Sequence, residues 1–232
     1  MRRPPTYVLA AGVSILVALL LRQRRHPIMH PPPLTFLFEN PIAGLFVGAE
    51  LLVERLRLFP GMRVLDAGCG PGRLTVPLAS AVGEEGEVVA LDGQQAMLEK
   101  LEERLAAQAV TNVRPLLARL GENELQEGSF DRIALPMVLG EVRDRRTALR
   151  ELYAALKEGG ILSLTEAFGD PDYRRPDTVL REAEAAGFRL VERFGTFPAY
   201  TLNLERPDTL PKSPWGRVSK HQEEASWAKR RA

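Results

Sequence analysis

Three glycines and two acids in the first half of the chain have the spacing of a ligand-binding site. Gly68, Gly70 and Gly72 alternate after a short apolar run that ends at Asp66. Glycine lets the backbone turn sharply and lets a ligand lie against the main chain, while the helix that follows offers free N–H groups. Asp92 closes a second apolar run, where an acid can reach the hydroxyls of a ribose. The pattern predicts a strand, a tight loop and a helix that hold a cofactor.

The glycine spacing distinguishes two families of cofactor-binding proteins. A dinucleotide fingerprint has the form G-x-G-x-x-G, whereas this loop is G-x-G-x-G with an acid two residues before the first glycine. The strings VLDAGCGPG and VVALDGQQAML resemble motifs of class I S-adenosylmethionine-dependent methyltransferases. The resemblance implies S-adenosylmethionine as the cofactor. The residues that we expect to contact it are Asp66, Ala67, Gly68, Cys69, Gly70, Gly72, Asp92, Gly93, Leu120 and Leu135.

The stretch that the resemblance places beside the adenine ring, residues 118–122, departs from the family pattern. After the third predicted strand, residues 113–118, the family usually has Gly-Asp-Ala or a near variant. Here Arg119 stands where the resemblance implies an acid. We therefore expect the backbone N–H of Leu120 to meet the ring edge, with Glu122 as a substitute acceptor.

The candidate base lies after the fourth predicted strand, in SFDRIALPMVLGEV. Gly140 and Glu141 stand where many small-molecule members of the family have a histidine pair. Methyl transfer from a sulfonium is an in-line displacement, so the protein aligns donor and acceptor and, where needed, removes one proton. All three histidines lie outside the predicted core, so we expect an acid instead. Glu141 is the predicted catalytic residue, and Glu166, Asp170 and Tyr173 lie near the same edge.

The order of predicted elements is that of an α/β protein. The resemblance implies a Rossmann-like sheet of seven strands in the order 3-2-1-4-5-7-6, with an antiparallel last strand and helices on its faces. We expect this domain at residues 60–205 and a proline-rich linker with a lid helix at 26–59. A basic disordered tail is expected at 206–232, because proline and mixed charge give it no periodicity.

An apolar segment at residues 1–25 predicts an N-terminal helix in a membrane. Thr6–Leu21 has no charged residue and is flanked by five arginines. As a helix it would extend about 24 Å, slightly short of a roughly 30 Å span, and snorkelling arginines can cover the difference. A cleaved signal peptide and a buried or interfacial helix are the alternatives. The arginines after the segment favour a catalytic domain on the cytoplasmic side.

Charge and composition narrow the classes of function. The net charge is +1, but both ends are basic and the part between them is acidic. An acidic body argues against a nucleic-acid substrate, because phosphates require a positive field. The single cysteine, Cys69, allows no internal disulfide and is interpreted as a small residue of the turn. No pattern of ligands predicts a metal site.

Three functions agree with these observations to different degrees. The first is a membrane-anchored methyltransferase that acts on a lipid-like or apolar small molecule, such as a phospholipid amine or a quinone precursor. The second is a protein that kept the cofactor loop and lost a competent pocket, and the departures at Arg119 and Gly140 favour it. The third is an NAD(P)-dependent oxidoreductase, which the glycine spacing disfavours.

Overall fold

Strands and helices alternate along the chain until the last two strands. The structure is a computed structural model that describes residues 48–168 and 170–208. The helices are α1 (Ala49–Leu56), α2 (Thr75–Val82), α3 (Gln95–Ala107), α4 (Arg145–Ala155) and α5 (Pro176–Ala185). The strands are β1 (Arg63–Ala67), β2 (Glu87–Asp92), β3 (Val113–Leu117), β4 (Phe130–Pro136), β5 (Leu156–Ala167), β6 (Arg189–Gly195) and β7 (Ala199–Glu205). A 3-10 helix, Leu139–Glu141, follows β4.

The seven strands form one sheet in the order β3-β2-β1-β4-β5-β7-β6. The pairs among β1 to β5 are parallel, and β7 runs antiparallel to both β5 and β6. The predicted sheet order and the antiparallel last strand are confirmed. The central strands β1 and β2 are buried along nearly their whole length, because helices cover both faces of a parallel sheet.

Successive residues of each central strand enter cores on opposite faces. Leu65 packs with α4 and α5 on one face, and Val64 packs with α1 and α2 on the other. Leu135 lies in the first of these cores and has no exposed surface. This alternation leaves the carboxyl ends of the strands as the place where polar groups can gather.

Helix α1 carries the last part of the predicted lid helix. Leu52 and Leu56 are buried and pack against Val64 and Leu78. The helix is therefore part of the folded unit. The predicted apolar helix, the proline-rich linker before residue 48 and the basic tail beyond residue 208 lie outside the described residues. Among the helices that the structure does describe, none is long and apolar enough to cross a membrane.

Strand β5 contains a pair of glycines near its start. A glycine pair commonly marks a turn, but Gly159 and Gly160 lie inside this strand. Phe130 pairs with Leu156 and Arg132 pairs with Ile161, so the intervening residues of β5 bulge. Gly159 has a φ of +73°, a value that glycine adopts without strain. The two glycines therefore form a bulge rather than a turn.

Candidate cofactor site

A cavity of about 750 Å³ lies at the carboxyl end of the parallel strands. Its wall comes from the segments that follow β1, β2, β3 and β4, together with Leu52 of α1 and Asp170 after β5. The volume is within the range of small-molecule sites, roughly 300 to 1,000 Å³. The fold therefore provides a cavity at the carboxyl edge of the sheet, where the sequence predicts the cofactor.

The glycine loop between β1 and α2 turns against the end of β2. The N–H groups of Gly68 and Cys69 both donate to the Leu91 carbonyl oxygen, at 2.8 and 2.9 Å. A Cβ at Gly68 would lie 2.3 Å from Cγ2 of Val138, whereas a Cβ at Gly70 would meet no atom within 4 Å. The backbone at Gly70, with a φ of +52°, thus borders open space in which a ligand can lie.

Asp92 ties the glycine loop to the start of α3. Its Oδ2 accepts from the Gly70 N–H at 2.9 Å, and its Oδ1 accepts from the Gln94 N–H at 2.8 Å. The side chain lines the cavity and is 6% exposed. Burial raises the pKa of Asp92 above its usual value, and the two backbone hydrogen bonds oppose that rise. Each carboxylate oxygen retains a lone pair for a hydroxyl of the cofactor.

Asp66 supplies a buried carboxylate to the same cavity. Its Oδ2 accepts from Oγ1 of Thr75 at 2.7 Å, and its Oδ1 is buried without a hydrogen-bond partner. Burial, and to a smaller extent the charge of Asp92, raises the pKa of Asp66 to about 6. An unpartnered buried acceptor is costly unless a ligand donor satisfies it. The site therefore fits a cofactor that carries a positively charged ammonium group, as S-adenosylmethionine does.

Other residues predicted to contact the cofactor divide into two groups. Gly93 and Leu120 line the cavity. Ala67 and Leu135 are fully buried in the core, and a Cβ at Gly72 would press on Leu101 at 2.4 Å. The cavity wall does not include those three, so their predicted contacts with the cofactor gain no support from its shape.

Residues 136–138, rather than the predicted Leu135, line the cavity at the end of β4. Met137 has a φ of +56°, and its N–H donates to the Thr165 carbonyl oxygen at 2.7 Å. A non-glycine residue in this conformation is uncommon and is found often at functional sites. Nothing in the composition of this segment indicates the positive φ of Met137.

On the predicted adenine side, residues 118–122 line the cavity. The N–H of Ala118, the first residue after β3, donates to the Asp92 carbonyl oxygen at 3.2 Å. This hydrogen bond joins the adenine side to Asp92, the residue predicted to bind the ribose. Arg119 is exposed and Leu120 is half-buried, and both residues lie on the cavity wall.

Glu141 and Asp170 lie at different places on the cavity wall. Glu141 follows β4, and after burial its charge is the other contribution that raises the pKa of Asp92. Asp170 is 7% exposed and follows β5. Its Oδ1 accepts from the Asp172 N–H at 2.8 Å. Only Asp170 brings an acid to the cavity from beyond β5 among the described residues.

A buried acid lies behind Asp170. Glu166 is 1% exposed, its Oε2 accepts from the Arg174 N–H at 3.2 Å, and its Oε1 has no hydrogen-bond partner. Burial, and then the charges of Asp170 and Asp172, raises the pKa of Glu166 to about 8. Glu166 therefore holds a proton at neutral pH. Tyr173, the remaining candidate at this edge, does not line the cavity.

Gly140 leaves no room for a side chain at the first position of the family's histidine pair. A Cβ there would lie 2.2 Å from the Asp172 carbonyl oxygen and 2.6 Å from its Cβ. The chain that carries Asp170 thus occupies the space that a side chain at position 140 would fill.

Cys69 is buried on the cavity wall, and burial raises the pKa of its thiol. A thiol in this state is a poor nucleophile. Within the two described ranges, no group of His, Cys, Asp and Glu side chains is arranged to hold a metal ion.

Comparison with known proteins identifies the domain. Residues 64–160 match the profile of a family described as a methyltransferase domain. The chain is 33% identical over 112 residues to demethylmenaquinone methyltransferase of Geobacillus kaustophilus, covering 48% of each protein. It is 38% identical over 143 residues to tRNA (adenine(58)-N(1))-methyltransferase TrmI of Thermus thermophilus, covering 61% of this chain and 52% of that protein. The chain thus spans about half the length of these curated relatives.

A solved structure confirms the fold. A SAM-dependent methyltransferase from Aquifex aeolicus superposes with a TM-score of 0.69 at 22% identity, covering 76% of this chain and 98% of that one. The predicted family, the prediction of an enzyme and the predicted cofactor are confirmed. Residues 64–160 belong to a family of methyltransferase domains, and the comparisons support a class I S-adenosylmethionine-dependent methyltransferase.

Proposed function

We propose that this protein transfers a methyl group from S-adenosylmethionine to an uncharged, apolar small molecule of the quinone-precursor type. The character of the cavity wall carries this proposal. Its charged residues are the acids Asp66, Asp92, Glu122, Glu141, Asp144 and Asp170 and the arginines Arg73, Arg119 and Arg143. The rest of the wall is mostly apolar or glycine. Such a wall suits a cationic donor and an uncharged acceptor.

The order of strands supports a division of the site among the parts of the cofactor. With the ribose on Asp92 and the adenine beside Leu120, the nucleoside lies at the ends of β2 and β3. Asp66 and the glycine loop, after β1, then hold the methionine part. The ends of β4 and β5 are left for the acceptor, because they lie on the other side of β1.

Asp170 is the acid that we assign to the acceptor, because it follows β5 and lines the cavity. When bound, S-adenosylmethionine supplies an electrophilic methyl group on a cationic sulfur. Asp170 takes up the proton that the acceptor loses, and Glu166, which already holds a proton, cannot compete for it. Glu141, the acid predicted from the sequence, is a second candidate, but its electrostatic effect on Asp92 favours a role near the ribose.

Similarity to a demethylmenaquinone methyltransferase supports the quinone-type acceptor. The similarity to a tRNA methyltransferase suggests a different substrate, an adenine in RNA. Phosphate binding requires a positive field near the site, whereas here the acids on the cavity wall outnumber the arginines. The charge of the wall therefore favours the small molecule.

We also propose that Thr6–Leu21 anchors the protein in a membrane, with the domain of residues 60–205 on the cytoplasmic side. An apolar acceptor would then be met in the lipid phase. Full-length protein should stay with membranes in high salt and in alkaline carbonate. Leu16→Lys, which places a charge in the middle of the segment, should release it. Release of the parent protein by salt alone would reject the anchor.

Transfer of labelled methyl groups tests the proposed acceptor. Purified protein with labelled S-adenosylmethionine should label an apolar component of a membrane extract and leave unfractionated tRNA unlabelled. Asp92→Ala should abolish the labelling, and Glu87→Gln, at the opposite end of β2, should retain it. Labelling of tRNA alone would replace the proposed acceptor. Binding of S-adenosylhomocysteine without any transfer would favour a protein that lost its competent pocket.

A further inference from the structure

A buried carboxylate behind the adenine side has no part in the site described so far. Glu151 lies on α4 and is 6% exposed. It accepts three backbone N–H groups: Oε2 from Gly121 at 2.5 Å, and Oε1 from Glu124 at 2.8 Å and from Leu125 at 3.2 Å. These three donors belong to the loop that continues from the cavity wall. One side chain of α4 therefore fixes the loop at both ends.

The same loop also packs closely on α4. Gly121 has a φ of +93°, and a Cβ at this position would lie 3.5 Å from the Ala148 nitrogen and 3.6 Å from the Asp144 carbonyl oxygen. The loop thus contacts the first turns of α4 directly. Hydrogen bonds from backbone N–H groups to a buried carboxylate are charge-assisted and stronger than neutral ones. Glu151 is therefore the main polar restraint on the position of Gly121.

We propose that Glu151 is a positioning residue that sets the adenine specificity of the cofactor site. It holds residues 121–125 on α4, and this fixes the main chain of Leu120 and Gly121 where the adenine edge is read. Such a restraint is needed here because Arg119 replaces the acid that would otherwise accept from the ring. The inference rests on the proposed cofactor site and adds the element that gives it selectivity for adenine.

Two measurements on Glu151→Gln test this role. Amide exchange in the protein without ligand should become about tenfold faster or more at Gly121, Glu124 and Leu125, because an amide side chain cannot accept all three N–H groups equally well. Affinity for S-adenosylhomocysteine should fall about 10- to 30-fold. Affinity for S-ribosylhomocysteine, which lacks adenine, should change less than about twofold. A general structural defect would weaken both ligands alike.

Controls keep the outcomes distinct. Glu103→Gln, at an exposed position of α3, should change neither exchange at the loop nor either affinity. If Glu151→Gln does not fold, Glu151→Asp keeps the charge on a shorter side chain and should show the same selectivity with a smaller loss.

Unchanged exchange at the loop, or equal losses for the two ligands, would overturn the role of Glu151. Failure of the parent protein to bind S-adenosylhomocysteine would instead overturn the cofactor site, while the exchange result would still report on the restraint.

Discussion

The two halves of the cavity are built in different ways. On the cofactor side, Gly68 and Gly70 lie in one short loop, and Asp92 joins that loop through a hydrogen bond to Gly70. On the acceptor side, the segment after β4 and the segment that carries Asp170 come from distant parts of the chain, and they meet where Gly140 packs against Asp172. The first half is thus specified by local motifs, and the second by contacts between distant parts of the chain. Changes in the two halves should therefore affect different properties.

The largest expected effect is on turnover, on the acceptor side. Asp170→Asn should lower turnover by about 10² to 10⁴, because a general base is lost, while its amide oxygen can still accept from the Asp172 N–H. Glu141→Gln should lower turnover less than about tenfold. Steady-state kinetics at saturating S-adenosylmethionine measures both.

The affinity for the cofactor is the control measurement for these two variants. Asp170→Asn should leave this affinity nearly unchanged. A large loss of turnover in Glu141→Gln with little loss in Asp170→Asn would show that the acid predicted from the sequence is the base.

The next largest effect is on stability, through Glu166. The pKa of Glu166 is raised from an ordinary value of 4.5 to about 8. The folded state thus holds a proton that the unfolded state releases, and its contribution to stability is lost as the pH rises from about 4.5 through 8. Glu166→Gln, which retains an acceptor for the Arg174 N–H, should remove this loss. Relative to the parent, the variant should gain on the order of 4 kcal/mol between pH 5 and pH 9.

Urea unfolding at several pH values measures that gain, with the exposed Glu102→Gln as the matched control. Parallel curves for parent and variant across this range would show that Glu166 ionises normally in the folded protein.

The same contrast between the halves decides what the sequence could predict. The motif around Asp66, Gly68 and Gly70 predicted the loop, and alternating elements with the family resemblance predicted the order of the sheet. The loop depends on residues that are close in sequence, and the order of the sheet depends on a repeated unit of strand and helix.

The acceptor side could not be predicted in this way. Leu135 was expected at the cavity, but the alternation of β4 turns it into the core, and Met137 reaches the wall through a positive φ that its residue type does not indicate. Asp170 was named only as one of several acids, because its place depends on the packing of Gly140. Glu151 was missed altogether, since its three partners are 26 to 30 residues away in the chain.

A smaller effect distinguishes two glycines of the cofactor loop. Gly68→Ala should destabilise the fold by about 1 to 3 kcal/mol, because its Cβ meets Val138 at 2.3 Å and its φ is positive. Gly70→Ala places a Cβ in open space and should cost about 1 kcal/mol of strain. Its Cβ should mainly weaken cofactor binding. Thermal unfolding and calorimetry of both variants separate these losses, and Val138→Ala should partly restore Gly68→Ala. Equal stability of the two variants would mean that the Val138 side chain moves away from the new Cβ at little cost in free energy.

The central claim is that the end of β2 holds the cofactor, and calorimetry with S-adenosylhomocysteine tests it most directly. Asp92→Ala removes a carboxylate that accepts from Gly70 and Gln94 and that faces the cavity. The expected loss of binding free energy is about 2 to 4 kcal/mol. Glu87→Gln, at the amino end of the same strand, should bind like the parent. Unchanged affinity in a folded Asp92→Ala protein would contradict the account, because the cofactor would then lie elsewhere.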